Sequence, residues 1–110
     1  MVNFVNLTPH AIVIRGVDGD RTFPASGQVA RVSTTSKVVG DINGIPLVET
    51  VYGQVVGLPE SNGDTVLVVS AMVRSAVPHR QDVVSPADFV RDAAGKILGC
   101  KALERNGGGL

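Results

Sequence analysis

The sequence predicts a mainly β fold: a single compact antiparallel β-barrel or sandwich with one or two short helices. Three observations predict it. Valine is the dominant apolar residue, and β-branched side chains, stiff at χ1, fit a pleated surface better than a helix. Gly (13) and Pro (6) punctuate the chain at short intervals, as many short strands require. Aromatic residues are only 4% and tryptophan is absent, so the core must be built from valine, with leucine, isoleucine and alanine in support. A chain of 110 residues with 44% hydrophobic and 18% charged residues has a globular balance and enough length for one core. One β-rich domain is expected over residues 1–105, with 106–110 a flexible tail.

In chain order, "VNFVN" (2–6) is expected as a first strand and "AIVIRG" (11–16) as a second. "VDGD" (17–20) makes a turn with Asp18-Gly19 as its type I′ signal, and "RTFP" (21–24) is a short strand. After the turn "ASG" (25–27), "QVARVS" (28–33) alternates, with Val29, Arg31 and Ser33 on one face and Ala30 and Val32 on the other. "TTSKVVGDINGIP" (34–46) is polar at its start and carries Asn43-Gly44 near its end. It is expected as a mobile loop over 34–45, with at most a short strand at Lys37–Val39. "PLVETVYGQVVGLP" (46–59) is extended with a bulge or bend at Gly53, and "ESNGD" (60–64) is a hairpin loop. "TVLVV" (65–69) is continuously apolar, as suits a buried strand.

"SAMVRSAVP" (70–78) changes the pattern. Met72, Val73, Ala76 and Val77 share one helical face, Ser70 is placed as an N-cap and Pro78 as a stop. "SPADFVRD" (85–92) could open a second helix, but "FVRDAAGKILGC" has the grammar of strand, glycine turn and strand. A terminal hairpin with a strand over 96–104 is the preferred reading.

Charge and composition narrow the function. Ten basic residues balance ten acidic ones, leaving no basic surplus for duplex nucleic acid. Near-zero net charge also removes self-repulsion and favours a homo-oligomer. No apolar run approaches the ~20 residues of a membrane span. The N-terminal stretch lacks the basic and long apolar regions of a secretory signal. The expected compartment is the cytoplasm. Cys100 is the single cysteine, so no internal disulfide exists, and it reads as a small apolar core residue. No metal-ligand spacing, P-loop, GxGxxG or GxSxG motif occurs, and the glutamates are scattered. Neither a cofactor nor an enzymatic activity is expected.

Two constellations could hold a ligand. In "NLTPHAIVI" (Asn6–Ile14), Pro9 stiffens a corner between strands. Thr8 and His10 either project from it into a cleft or merely complete the corner. In "SAMVRSAVPHRQDVVSP" (70–86), the start of the helix at Ser70, with Arg74 one turn on and Arg80 beyond Pro78, could bind a phosphate-bearing anion. Asp82 would then orient an arginine or accept from a ribose hydroxyl. The alternative there is a capped structural helix beside an Arg80–Asp82 salt bridge.

Taken together, "VNLTPHAIVI", "GLPE…GDTVLVVSAMV" and "RQDVVSP…VRDAAGKILGCKAL" resemble an uncharacterised family of small phage and prophage proteins with an N-terminal Asn-Leu-Thr-Pro-His motif. The resemblance implies a phage setting, in which small accessory proteins often counter host defence and several unrelated ones act by sequestering nucleotide signals. The function expected is therefore a non-enzymatic protein that sequesters a small anionic nucleotide-like molecule through Thr8, His10, Ser70, Arg74, Arg80 and Asp82. The rival readings are a virion or assembly component and a small nucleotide hydrolase.

Overall fold

The structure, a computed structural model, describes residues 3–107. Val2, expected at the start of the first strand, and residues 108–110 of the expected tail lie outside the described residues. Eight strands and one helix follow in the order β1 (Asn3–Asn6), β2 (Ile12–Gly16), β3 (Gly19–Phe23), β4 (Arg31–Ile42), β5 (Ile45–Val56), β6 (Thr65–Val68), α1 (Ala71–Ala76), β7 (Val83–Arg91) and β8 (Ile97–Arg105). The mainly β character is as expected.

The expected antiparallel arrangement is corrected. Six strands form one sheet in the order β1-β6-β7-β8-β2-β3, and β4 pairs only with β5. The β1–β6, β6–β7 and β2–β8 pairings are parallel. Parallel neighbours need a crossover, and α1 supplies the one from β6 to β7. The continuous apolar run of β6 is the matching signature, because a strand between two parallel neighbours is covered on both faces. Leu67 and Val69 enter one apolar cluster with Leu7, Ala30, Val73 and Val83, while Val68 is buried outside that cluster.

The sheet curls into a half-barrel and does not close. Its edge strands, β1 and β3, approach without forming a ladder. The Asn6 side chain donates to the Phe23 carbonyl at 3.0 Å, and the Phe4 and Phe23 rings sit 5.2 Å apart. Gly99 allows β8 to lie beside β2, since a Cβ there would stand 2.8 Å from the Val13 carbonyl oxygen.

The segment 34–45, expected as a mobile loop, is instead the outer half of a long hairpin arm. β4 runs to Ile42, Asn43-Gly44 makes the turn, and β5 returns in register with Ile42 opposite Ile45. Asn43 and Gly44 both have positive φ, the two-residue turn geometry that suits the twist of a hairpin. The polar Thr34–Lys37 stretch is not a loop signal here, because both faces of the arm are open to solvent. The bulge expected at Gly53 is present between the Val32 and Thr34 pairings, and a side chain at Gly53 would collide with Ser33.

Three smaller expectations change. The β2–β3 loop centres on Val17-Asp18, because Gly16 pairs with Gly19 and only Gly19 takes positive φ. Residues 60–64 do not close a hairpin: β5 pairs only with β4, and β6 pairs in parallel with β1 and β7, so this connection links one sheet to the other. Asn106, assigned to the tail, is buried and donates to the Val77 and Arg80 carbonyls at 2.9 Å each. The terminal hairpin β7–β8 forms as preferred. Pro86 is tolerated inside β7 because β6 pairs only with Val83 and Val84, leaving that side of Pro86 without a ladder partner.

Candidate functional site

Asn6 builds the Thr-Pro-His corner. Its Nδ2 donates to the carbonyls of His10 (2.8 Å) and Phe23, and its Oδ1 accepts from the Thr8 amide (2.9 Å) and Thr8 hydroxyl (2.7 Å). All four hydrogen-bonding positions of a buried amide are used, which satisfies it fully. The His10 carbonyl is therefore part of the corner, whereas the exposed His10 ring makes no hydrogen bond among the described residues.

The corner forms one wall of a cleft of about 640 Å³. A second wall is the root of the arm, where the Ala30 amide donates to the Leu7 carbonyl at 2.9 Å. The third is the start of α1. Ser70 caps this six-residue helix by accepting from the Val73 amide at 3.2 Å. Thr8 and Ser70 thus come together on one cleft, joined by Arg31, Ser33 and Gln54 from the arm root. Pro9, Val56 and Met72 give it apolar surface.

The other expected site residues lie elsewhere. His10 borders a separate apolar depression of about 300 Å³ with Pro86, Phe89, Ile97 and Leu98. Arg74 turns inward: Nε donates to the fully buried Ser85 hydroxyl at 2.8 Å, Nη1 donates to Asn106 Oδ1 at 3.2 Å, and Nη2 lies 3.4 Å from Glu104. Arg80 and Asp82 form a bidentate pair at 2.8 and 2.7 Å, and Arg80 also donates to the Pro59 carbonyl at 2.9 Å. These hydrogen bonds hold the Asp82 carboxyl below its ordinary range, against the opposing effect of burial, and raise the already high Arg80 value. The pair borders a groove on the Thr65 side of the molecule, apart from the cleft.

The reading of residues 70–86 as a phosphate fork is therefore met by arginines whose donors are engaged within the fold. The arginine on the cleft is Arg31, which takes part in none of the three ion pairs among the described residues. The sequence carried no signal that singles it out: the alternation of 28–33 places Arg31 and Ser33 on one face, but Ala30 and Val32 of the other face border the cleft too. Gln54 had none either, because the bulge at Gly53 decides which way it faces.

Among the described residues, no helix is long and apolar enough to cross a membrane, and no three His, Cys, Asp or Glu side chains gather as a metal-binding group. Comparison with protein-family models, curated proteins and solved structures finds no match to this chain.

Proposed function

We propose that this is a non-enzymatic binding protein that holds a small anionic, nucleotide-like molecule in the cleft between the Thr8 corner, the arm root and Ser70. The observation that carries the reading is Arg31: a guanidinium in no ion pair among the described residues shares a mostly apolar cleft with the hydroxyl residues Thr8, Ser33 and Ser70. That combination suits a ligand with a charged group and a flat apolar part. Ser33, Ser70 and Gln54 offer neutral donors, Thr8 Oγ1, whose proton is engaged in the corner, can only accept, and Pro9, Val56 and Met72 offer surface to a base. No histidine, cysteine or carboxylate borders this cleft, so it has no evident general base. The phage resemblance supplies the setting, sequestration of a host defence signal in the bacterial cytoplasm.

The test is heat release of small molecules from purified protein, followed by mass spectrometry. Intact anionic nucleotides are expected; their conversion to products would favour a hydrolase, and an empty extract from a host producing such signals would overturn the reading. Arg31→Ala should weaken binding by about 1.5–3 kcal/mol, the scale of a charge-assisted hydrogen bond, and the loss should shrink with added salt. Arg74→Ala should instead lower stability, because it strands the buried Ser85 hydroxyl and Asn106. Calorimetric binding and urea unfolding of both variants separate the two roles.

A second reading, an assembly component of a virion, is favoured by the exposed apolar arm. Recovery of the protein in purified particles would support it.

A further inference from the structure

We infer that the ligand of this cleft carries a neutral hydrogen-bond donor as well as a charge, and that Thr8 Oγ1 selects for that donor. This selection rests on the anionic-ligand reading of the cleft and extends it. The cleft has one end that suits an anion and one end that an anion cannot occupy.

The two ends differ in where their hydroxyl protons go. Thr8 Oγ1 lies 2.7 Å from Asn6 Oδ1 and 2.9 Å from the His10 carbonyl oxygen. Both neighbours are acceptors, so the single hydroxyl proton stays within the corner in either case. Asn6 cannot turn its amide to release it. Reversed, Nδ2 would face the Thr8 amide, which is a donor, and Oδ1 would face the carbonyls of His10 and Phe23, which are acceptors. The lone pairs of Thr8 Oγ1 take no donor from the described residues, and its contact with the His10 carbonyl is exposed. They are left for water or for a ligand.

Ser70 is the converse. Its Oγ accepts from the Val73 amide at 3.2 Å, and its proton has no acceptor among the described residues, so it is free to donate outward. Arg31 has donors only, and it is the one charged residue among those bordering the cleft. Phosphate oxygens are acceptors and fit Arg31 and Ser70. At Thr8 they would set acceptor against acceptor.

The uncharged part of the ligand therefore meets Thr8, and it meets it with an N–H or O–H. An apolar edge at this position would strip water from Oγ1 and return no hydrogen bond. A site that presents a fixed polar group rejects a ligand lacking the matching one. On a nucleotide two groups offer such a donor, a ribose hydroxyl and an exocyclic base amine.

Adenosine monophosphate is the probe, because it has one phosphate for one guanidinium and both kinds of donor. Its dideoxy analogue lacks the ribose hydroxyls, and purine riboside monophosphate lacks the amine. Calorimetry on the full chain should show adenosine monophosphate bound, and bound less well by Arg31→Ala. One of the two analogues should bind wild type roughly tenfold more weakly, the scale of one unmet hydrogen bond. Which analogue it is tells the hydroxyl from the amine. Thr8→Val keeps the side-chain shape without the acceptor, and should bind that analogue and adenosine monophosphate alike; Thr8→Ser should preserve the difference. Far-UV circular dichroism reports whether the variants fold. Should Thr8→Val not fold, equal binding of all three nucleotides by wild type still overturns the proposal. Equal binding that depends on Arg31 overturns the selection by Thr8 alone, as does a difference that survives in folded Thr8→Val. Adenosine monophosphate that does not bind, or binds without regard to Arg31, overturns the anionic-ligand reading together with it.

Discussion

Asn6 shows how one side chain can decide a corner. Its four hydrogen bonds tie β1 to the Thr8 amide, the His10 carbonyl and the edge of β3. Asn6→Ala leaves the Phe23 carbonyl without this donor and the Thr8 amide without this acceptor, at about 1–3 kcal/mol for each buried group stranded. Urea denaturation should show a loss of at least one such increment, whereas His10→Ala, which removes only an exposed ring, should be close to neutral for stability. The Arg80–Asp82 pair carries a pH signature. Asp82 titrates below its ordinary value in the folded protein because Arg80 hydrogen-bonds its ionised form. The resulting stability is complete above the unfolded carboxylate pKa of about 3.9 and is lost as pH falls through the lower folded value. Arg80 contributes below its ordinary, very high value and loses that contribution only in stronger alkali. Asp82→Asn should therefore lower stability at neutral pH by about 1.5–3 kcal/mol and flatten the acid limb of the stability profile. An unchanged acid limb in urea titrations across pH would show that other carboxylates govern it.

Among the elements, legibility follows the range of the interaction that forms each one. The α1 helix, the β6 strand and the terminal hairpin were readable because cap, apolar run and turn are local signals. Even the bulge at Gly53 had its glycine. Parallel pairing was not read, because it depends on which distant strand lies alongside, although the unbroken apolar run of β6 was consistent with it. The arm was misread for a different reason. Strands over 34–45 are recognised by burial alternation, and an arm open on both faces has little burial to alternate. Its Asn43-Gly44 turn was the one surviving local clue. The candidate cleft was half legible: Thr8 and Ser70 border it together, but Arg74 and Arg80 are engaged with Ser85, Asn106 and Asp82. Sequence shows where an arginine lies, not whether its donors are already used.

At the scale of the whole molecule, the arm and the half-barrel make separable demands on the chain. The radius of gyration is 16.4 Å, against about 13 Å for a compact domain of similar length. The arm contributes Ala30, Val32 and Val55 at its root to the main apolar cluster and nothing from its outer half. Thr35 stands opposite Val51, so replacing residues 36–50 by Asn-Gly joins two paired positions with a two-residue turn and preserves the register. The shortened chain should fold, because every member of the main cluster and both buried asparagines remain. It should match the wild type in unfolding free energy to within about 1 kcal/mol, since shortening a connection changes closure entropy only slowly. Urea unfolding of the two chains side by side measures the difference. A shortened chain that fails to fold would show that the outer arm supports the half-barrel.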